Sequence, residues 1–155
     1  MCIRDRIKEK TKEEVPHANF ESALNDYKKF HKAVSEGLIL SAHDISEGGL
    51  GVAIAEMAFS EVGGVTIDLG QLPKKGEVSN AECLFAETPS RILIECEPDS
   101  LNQLEKIFEG SDYSVIGKVT TDHQNISINV GSENVLEVGI STLKEKWKNV
   151  LTPYY

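Results

Sequence analysis

The chain has 155 residues, of which 40% are hydrophobic and 26% charged, and its formal net charge is -9. This length and composition are those of one globular domain and argue against a disordered chain. The acidic balance argues against a general nucleic-acid-binding protein, which needs a basic face for the phosphate backbone. No apolar run approaches the roughly 18 residues that span a bilayer, so the sequence predicts no membrane segment.

The first residues and the cysteines bear on the cellular compartment. The opening stretch, MCIRDRIKEK, is too charged for a secretory signal peptide. Cys2, Cys83 and Cys96 form no C-x-x-C pair, which is typical of a reduced, cytoplasmic protein without a cysteine-built metal site. Residues 1–15 show neither a helix cap nor a periodic pattern. We therefore treat them as an uninformative or non-native leader and assign one domain to residues 16–155.

The first part of this domain predicts a helix, a strand and a glycine-rich turn. Apolar residues recur at spacings of three and four over residues 20–34, which predicts an amphipathic helix with Asn19 as its N-cap. The run LILSA (38–42) predicts a short buried strand. The sequence HDISEGG (43–49) follows as a turn and leads into a helix that begins at Leu50.

The remainder of the chain continues the alternation of strands and helices. Ser79 and Glu82 form a capping box for a short helix, and Ser100 with Gln103 is predicted to start another. The tail STLKEKWKNVL predicts a last helix, with Trp147 as a core residue. The further predicted strands lie at 65–69, 91–96, 114–119, 125–130 and 135–140.

The order of these elements predicts an α/β (α+β) fold. A strand–helix–strand unit occurs twice, and each unit favours a right-handed crossover between neighbouring strands. We therefore expect a split βαβ-type mixed sheet of about four main strands with helices packed on one face. Small terminal strands and a C-terminal helix complete the expected fold.

The HDISEGG turn is the first candidate for a binding site, because ligands of α/β folds gather where strands lead into helix N-termini. Gly48 and Gly49 lack Cβ atoms where a phosphate could approach the N–H groups of the following helix. Ser46 could cap that helix or bind a ligand oxygen, and Asp44 could orient the turn or hold a hydroxyl. His43 is the histidine whose surroundings indicate a site. The alternative is a tight strand-to-helix turn without a ligand, which uses the same residue types.

A second candidate lies in the segment ECLFAETPSRILIE. Glu87, Ser90 and Arg91 cluster there in a short loop before a predicted strand. Arg91 could bind a phosphate or a carboxylate with two parallel hydrogen bonds. The alternative is a local ion pair between Glu87 and Arg91. We assign no catalytic residue to this sequence, and its metal ligands stay unassigned.

Three segments also resemble a known family. They are, in chain order, AHDISEGGLGVAIAEMAF, LFAETPSRILIE and IGKVT. Together they are similar to the phosphoribosylformylglycinamidine synthases. The resemblance runs from about Val15 to Leu151 and concerns the C-terminal part of the synthetase subunit. This part is a C-terminal domain type of the aminoimidazole-ribonucleotide synthetase superfamily. The resemblance implies that the chain is a fragment of such a synthase, which is an ATP-dependent ligase.

The resemblance implies a reaction of de novo purine biosynthesis. ATP with Mg²⁺ activates the amide oxygen of formylglycinamide ribonucleotide, and ammonia from glutamine then displaces phosphate to give formylglycinamidine ribonucleotide. The residues that this resemblance implies for the phosphate- or substrate-facing cleft are His43, Asp44, Ser46, Gly48 and Gly49, with Glu87, Ser90 and Arg91 as secondary candidates.

The resemblance also implies partners. N-terminal domains of the same subunit would carry most of the nucleotide and magnesium ligands, and a glutaminase subunit or domain would supply ammonia. Alone, the chain is expected to lack synthase activity and to expose apolar surface on the sheet face that has no helices. The alternatives are another superfamily member, such as aminoimidazole-ribonucleotide synthetase, and a non-catalytic scaffolding or interface domain.

Overall fold

A computed structural model of the chain describes residues 19–60, 63–74 and 76–149. The helices are α1 (Phe20–Ser35), α2 (Gly49–Ala58), α3 (Asn80–Phe85), α4 (Leu101–Ile107) and α5 (Ile140–Asn149). The strands are β1 (Ser41–Asp44), β2 (Gly64–Asp68), β3 (Ile92–Glu95), β4 (Gly117–Thr120), β5 (Asn125–Val130) and β6 (Glu133–Gly139). Short 3-10 turns lie at Leu69–Gln71 and Pro98–Ser100. The predicted leader at residues 1–15 lies outside the described residues.

The described residues fall into two compact units. The first comprises those up to Ala53 together with Leu84–Tyr113, and the second comprises Ile54–Cys83 and those from Ser114 onwards. In the first unit, β1 and β3 form a two-stranded antiparallel sheet. In the second, the strand order is β4-β2-β5-β6, with β2 and β5 parallel and the other pairs antiparallel. The predicted α/β class with a four-stranded mixed sheet is confirmed.

The membership of that sheet differs from the prediction. Consecutive strands joined by a helix were expected to be neighbours, but β2 pairs with neither β1 nor β3. The strands predicted to be minor, β5 and β6, supply half of the four-stranded sheet instead. Apolar patterns identify strands but do not specify which apolar strands pair, because many pairings bury similar side chains.

The sheet of the second unit has one apolar and one polar face. Ile67, Ile126 and Ile128 are buried on the first face. On the other face, Thr66 lies between Lys118 and Ser127 in the ladder, which makes a polar row. On the edge strands of the same sheet, Val119 is 51% exposed and Leu136 is 42% exposed, so the sheet also exposes apolar side chains.

A further exposed apolar surface lies on α1. This helix begins as predicted, since the Asn19 side chain accepts a hydrogen bond from the Ser22 N–H at 3.1 Å. Phe20 is 84% exposed and Leu24 56% exposed. Tyr27 and Val34, further along the same stripe, are also exposed.

The packed residues of α1 include small and polar ones. Ala23 and Ala33 are buried. Lys29 Nζ donates hydrogen bonds to the carbonyl of Glu109 and to Ser111 Oγ, both at 2.8 Å. The apolar periodicity correctly predicted the helix, but only part of its apolar set is packed: Ala23 is buried, whereas Phe20 and Leu24 are exposed.

The helix starts in the middle of the chain follow the predictions only in part. The capping box of α3 is confirmed, with Glu82 accepting hydrogen bonds from both the N–H and the hydroxyl of Ser79. Ser100 occupies the N-cap position of α4 as predicted, but its side chain makes no cap hydrogen bond. Gln103 donates instead to the Glu36 carboxylate at 2.8 Å.

The C-terminal helix α5 buries its first residue, Ile140. Trp147 is 57% exposed and lies with its ring centroid 5.6 Å from that of Phe59. The prediction of Trp147 as a core residue is therefore wrong. Within the described ranges, no helix is long and apolar enough to cross a membrane.

The cysteines that the structure describes are free thiols. Cys83 is buried and Cys96 is half-buried. Burial and then the charges of Glu95 and Glu97 raise the pKa of Cys96. A raised pKa keeps this thiol protonated, and hence weakly nucleophilic, at neutral pH.

Candidate functional site

The strand before the turn extends further into the motif than its sequence predicts. His43 and Asp44 are the last residues of β1 and pair with Leu93 and Ile92 of β3. Since β3 provides a ladder up to this point, the turn proper begins at Ile45. Its N–H donates to the carbonyl of Arg91 at 2.9 Å.

The turn reverses over the residues from Ser46 to Gly49. The Gly49 N–H donates to the Ser46 carbonyl at 3.0 Å, and φ is +81° at Gly48 and +67° at Gly49. A positive φ at the third turn position is what a type II turn requires, and glycine adopts it without strain. The turn exposes Ser46 and Glu47 at its tip and buries both glycines.

Gly49 is also required by the close approach of another segment. A Cβ atom at this position would lie 2.7 Å from the Leu84 carbonyl oxygen and 2.9 Å from that of Ala86. The space that the missing Cβ leaves is thus occupied by backbone of the first unit. This packing accounts for Gly49 without a bound phosphate.

His43 and Asp44 lie directly before the turn, at the end of β1. The His43 Nδ1 is 2.6 Å from the Asp44 carbonyl oxygen. Because a carbonyl can only accept, Nδ1 carries the proton, and Nε2 is an acceptor when the ring is neutral. The side chain of His43 is 29% exposed and that of Asp44 78% exposed, so both can reach a ligand in solution.

The loop after α3 contacts the turn through Glu87. Its Oε1 accepts a hydrogen bond from the Gly48 N–H at 2.9 Å, across 39 residues of sequence. A carboxylate near the N-terminus of α2 is favoured by the helix dipole. The structure therefore joins the secondary candidate Glu87 to the primary candidate Gly48 by a hydrogen bond. No periodicity or spacing in the sequence indicates this contact.

Arg91 folds back onto its own loop. Its Nε donates to the Thr88 carbonyl at 3.3 Å, and its Nη2 donates to the carbonyl of Ala86. The neighbouring Ser90 is exposed and has φ +64°. Among the non-glycine residues that the structure describes, it is the only one with a positive φ. This bend turns the chain at the end of the ETPSR loop and lets the Arg91 side chain reach the carbonyls behind it.

The described residues do not form a metal centre by themselves. Nowhere in the described ranges do three or more His, Cys, Asp or Glu residues form a group that could hold a metal ion. Of the carboxylates in the turn or bound to it, Asp44 and Glu47 are exposed, and Glu87 accepts the hydrogen bond from the Gly48 N–H. This segment therefore does not supply a complete magnesium site, and we assign no step to one.

A family model described as AIR synthase related protein, C-terminal domain, matches residues 3–129. The chain belongs to this family. The predicted resemblance is thereby confirmed, and the match extends into the residues ahead of Val15.

Relatives within this family are PurL subunits of phosphoribosylformylglycinamidine synthase. The subunit from Lactobacillus helveticus is 36% identical over 135 residues, which are 86% of this chain and 17% of that protein. The subunit from Methanococcus aeolicus is 32% identical over 138 residues, or 89% of this chain and 18% of that protein. The chain thus spans less than a fifth of the length of these relatives.

Solved structures with the same fold come from Thermotoga maritima. PurL complexed with FGAR superimposes with a TM-score of 0.75 at 20% identity, covering 88% of this chain and 23% of that chain. PurL complexed with ATP gives a TM-score of 0.69 at 22% identity, covering 75% of this chain and 20% of that one. The structure named PurLQS gives 0.72 at 21% identity, covering 78% and 21%. At these identities the likeness establishes the fold.

Proposed function

We propose that this chain is the C-terminal domain, residues 16–155, of the synthetase subunit of a phosphoribosylformylglycinamidine synthase in the cytoplasm. The observation that carries the proposal is 36% identity to a PurL subunit over 86% of the chain, which includes the HDISEGG turn. The complete enzyme is an ATP-dependent ligase with glutamine as its amide donor. It transfers the γ-phosphoryl group of ATP to the glycinamide carbonyl oxygen of formylglycinamide ribonucleotide, and ammonia then displaces phosphate from that carbon to form the amidine.

In this enzyme the turn would line the phosphate- or substrate-facing cleft. The exposed residues Ser46 and Glu47 support this role, as do the polar side chains of His43 and Asp44 at the start of the turn. The turn holds these residues in place while they remain accessible to solvent. The exposed Asp44 carboxylate can accept a hydrogen bond from a ligand hydroxyl, and Ser46 can donate one to a phosphate oxygen. Phosphoryl transfer depends mainly on such positioning and on electrostatic stabilisation. No residue of this domain is assigned the chemical step.

The remaining parts of the site would come from partners. We propose N-terminal domains of the same subunit, which hold most ligands of ATP and Mg²⁺, and a glutaminase subunit or domain that supplies ammonia. The short span of this chain on its relatives supports the first partner. The exposed apolar stripe of α1 supports it too, since monomeric proteins rarely expose a contiguous apolar surface of this kind.

An exchange of segments tests the proposal. The matching segment of the Lactobacillus helveticus PurL subunit is replaced by residues 16–155 of this chain, and ADP formation is measured with formylglycinamide ribonucleotide and added ammonia, which makes the glutaminase unnecessary. The chimaera is expected to turn over, whereas the isolated 155-residue chain is expected to be inactive. A folded but inactive chimaera, or turnover by the isolated chain, contradicts the proposal.

Variants of the chimaera assign the site residues. Asp44→Ala and Ser46→Ala are expected to raise the KM for ATP or for the ribonucleotide, because both side chains would face the cleft. The exposed Glu97, which makes no side-chain cap hydrogen bond, provides a control in Glu97→Ala. If all three variants had the same KM values, the turn would not be part of the binding site.

One observation favours a second candidate, a scaffolding domain with a purely structural turn. The Cβ position of Gly49 is filled by protein backbone rather than left open for a ligand. Titration of the chimaera with Mg-ATP, followed by the amide resonances of residues 44–49, separates the two functions. Ligand-dependent shifts support the cleft, and their absence at millimolar nucleotide supports the scaffold.

A further inference from the structure

The loop of residues 84–91 holds the turn at three successive points. The Ile45 N–H donates to the Arg91 carbonyl at 2.9 Å. The Gly48 N–H donates to the Glu87 carboxylate at 2.9 Å. The backbone of residues 84–86 packs where a Gly49 Cβ would lie. Glu87 is the one side chain among these three contacts, and hence the one that a substitution can remove directly.

We propose that Glu87 is a positioning residue of the turn. Its carboxylate fixes the Gly48 amide and thereby the conformation that presents His43, Asp44 and Ser46, and it does not itself touch the ligand. The inference rests on the proposed ligand-facing role of the turn. It gives Glu87 a task different from that of a ligand contact.

The surroundings of the two groups support this assignment. Gly48 is buried and Glu87 is half-buried, so little solvent competes for the hydrogen bond. A bond from an N–H to an ionised carboxylate is among the stronger hydrogen bonds in proteins. The tip residues Ser46 and Glu47 lie between the anchored residues Ile45 and Gly48 and are exposed. The contact therefore orders the part of the turn that solvent and ligand can reach.

Charge also argues against a direct contact between Glu87 and a phosphate. Two anionic groups at hydrogen-bond distance repel each other unless a cation lies between them. A carboxylate that acts through a neutral amide avoids this repulsion. Glu87→Gln separates the two roles, because the glutamine keeps an oxygen acceptor for Gly48 and loses the charge.

The first measurement concerns the turn alone. Amide hydrogen exchange and ¹H–¹⁵N spectra are recorded for the full chain as wild type, Glu87→Ala, Glu87→Gln and the control Glu97→Ala. Loss of a charged hydrogen bond is expected to accelerate exchange at Gly48 by about tenfold in Glu87→Ala. Shifts are expected from Asp44 to Gly49, whereas Glu87→Gln keeps most of the protection and Glu97→Ala resembles wild type.

An unchanged Gly48 exchange rate in Glu87→Ala would overturn the inference, as would spectral changes that do not reach Asp44 and Ser46. Melting temperatures are measured for every variant. If Glu87→Ala does not fold, Glu87→Gln still decides the matter, because a positioning role requires it to keep the Gly48 protection.

The second measurement uses Mg-ATP as the probe and is made on the chimaera, which serves here as wild type because the proposed function places most ATP ligands on the N-terminal domains. Glu87→Ala is expected to weaken binding by about tenfold, in proportion to the loss of order in the turn. Glu87→Gln is expected to bind at least as tightly as wild type. Equal weakening in both variants would mean that the charge itself contacts the ligand or its metal, which contradicts the inference. No binding by wild type contradicts the proposed function, and the exchange rates at Gly48 then still decide the role of Glu87.

Discussion

Asp68 in the second unit and Glu87 in the first both accept hydrogen bonds from glycine N–H groups. Asp68 Oδ1 accepts from Gly70 at 2.8 Å and from Gly131 at 3.0 Å. Glu87 accepts from Gly48 at 2.9 Å. Asp68 ends β2 and caps the 3-10 turn that follows it. The same chemical contact thus closes the end of a sheet in one unit and holds a candidate binding turn in the other.

The glycines around the two carboxylates differ in the space available to them. A Cβ at Gly131 would have no heavy atom within 4 Å, whereas a Cβ at Gly49 would collide with two carbonyl oxygens. Both residues have a positive φ, of +59° at Gly131 and +67° at Gly49. Gly49 and Gly131 therefore share the backbone strain of a positive φ, but of these two residues Gly49 alone is closely packed.

Gly49→Ala is expected to have the largest effect. The left-handed φ costs about 1–2 kcal/mol for an L-residue, and overpacking adds about 1–3 kcal/mol. The free energy of unfolding, measured with urea, is expected to fall by about 2–5 kcal/mol. A loss below about 1 kcal/mol would show that the loop of residues 84–91 moves away without resistance.

Gly131→Ala is the matched control at an open position. Only the strain of the left-handed φ applies, so the expected loss of unfolding free energy is about 1–2 kcal/mol. The same urea titration measures it. Equal losses at Gly131 and Gly49 would mean that the crowding at the turn contributes nothing to stability.

Asp68→Asn is expected to have the smallest effect, and one that depends on pH. Hydrogen bonds from Gly131 and Gly70, in that order, lower the pKa of Asp68 in the folded chain. A lowered folded pKa stabilises the protein above the unfolded pKa of about 3.9, and this contribution is lost as the pH falls through the folded pKa. Wild type should therefore exceed Asp68→Asn in urea midpoint at neutral pH, and the difference should vanish in acid. A difference independent of pH would exclude the carboxylate charge as its source.

Much of the local structure was predictable from residue patterns. The N-cap at Asn19, the capping box of Ser79 and Glu82 and the alternating strand at 125–130 all depend on residues close in sequence. Such contacts form within one turn or one strand, so the sequence contains the information for them. The turn of residues 43–49 was predicted for the same reason, although β1 extends two residues into it.

The sequence by itself determined the family, the alternation of helices and strands, and the glycine-rich turn as the candidate site. Tertiary structure decided which strands pair, which face α1 buries, that Trp147 is exposed, and that Glu87 holds Gly48. The physical reason is that these outcomes join residues far apart in the chain. Their free energies depend on competing partners of similar polarity and shape, and no local pattern ranks those partners.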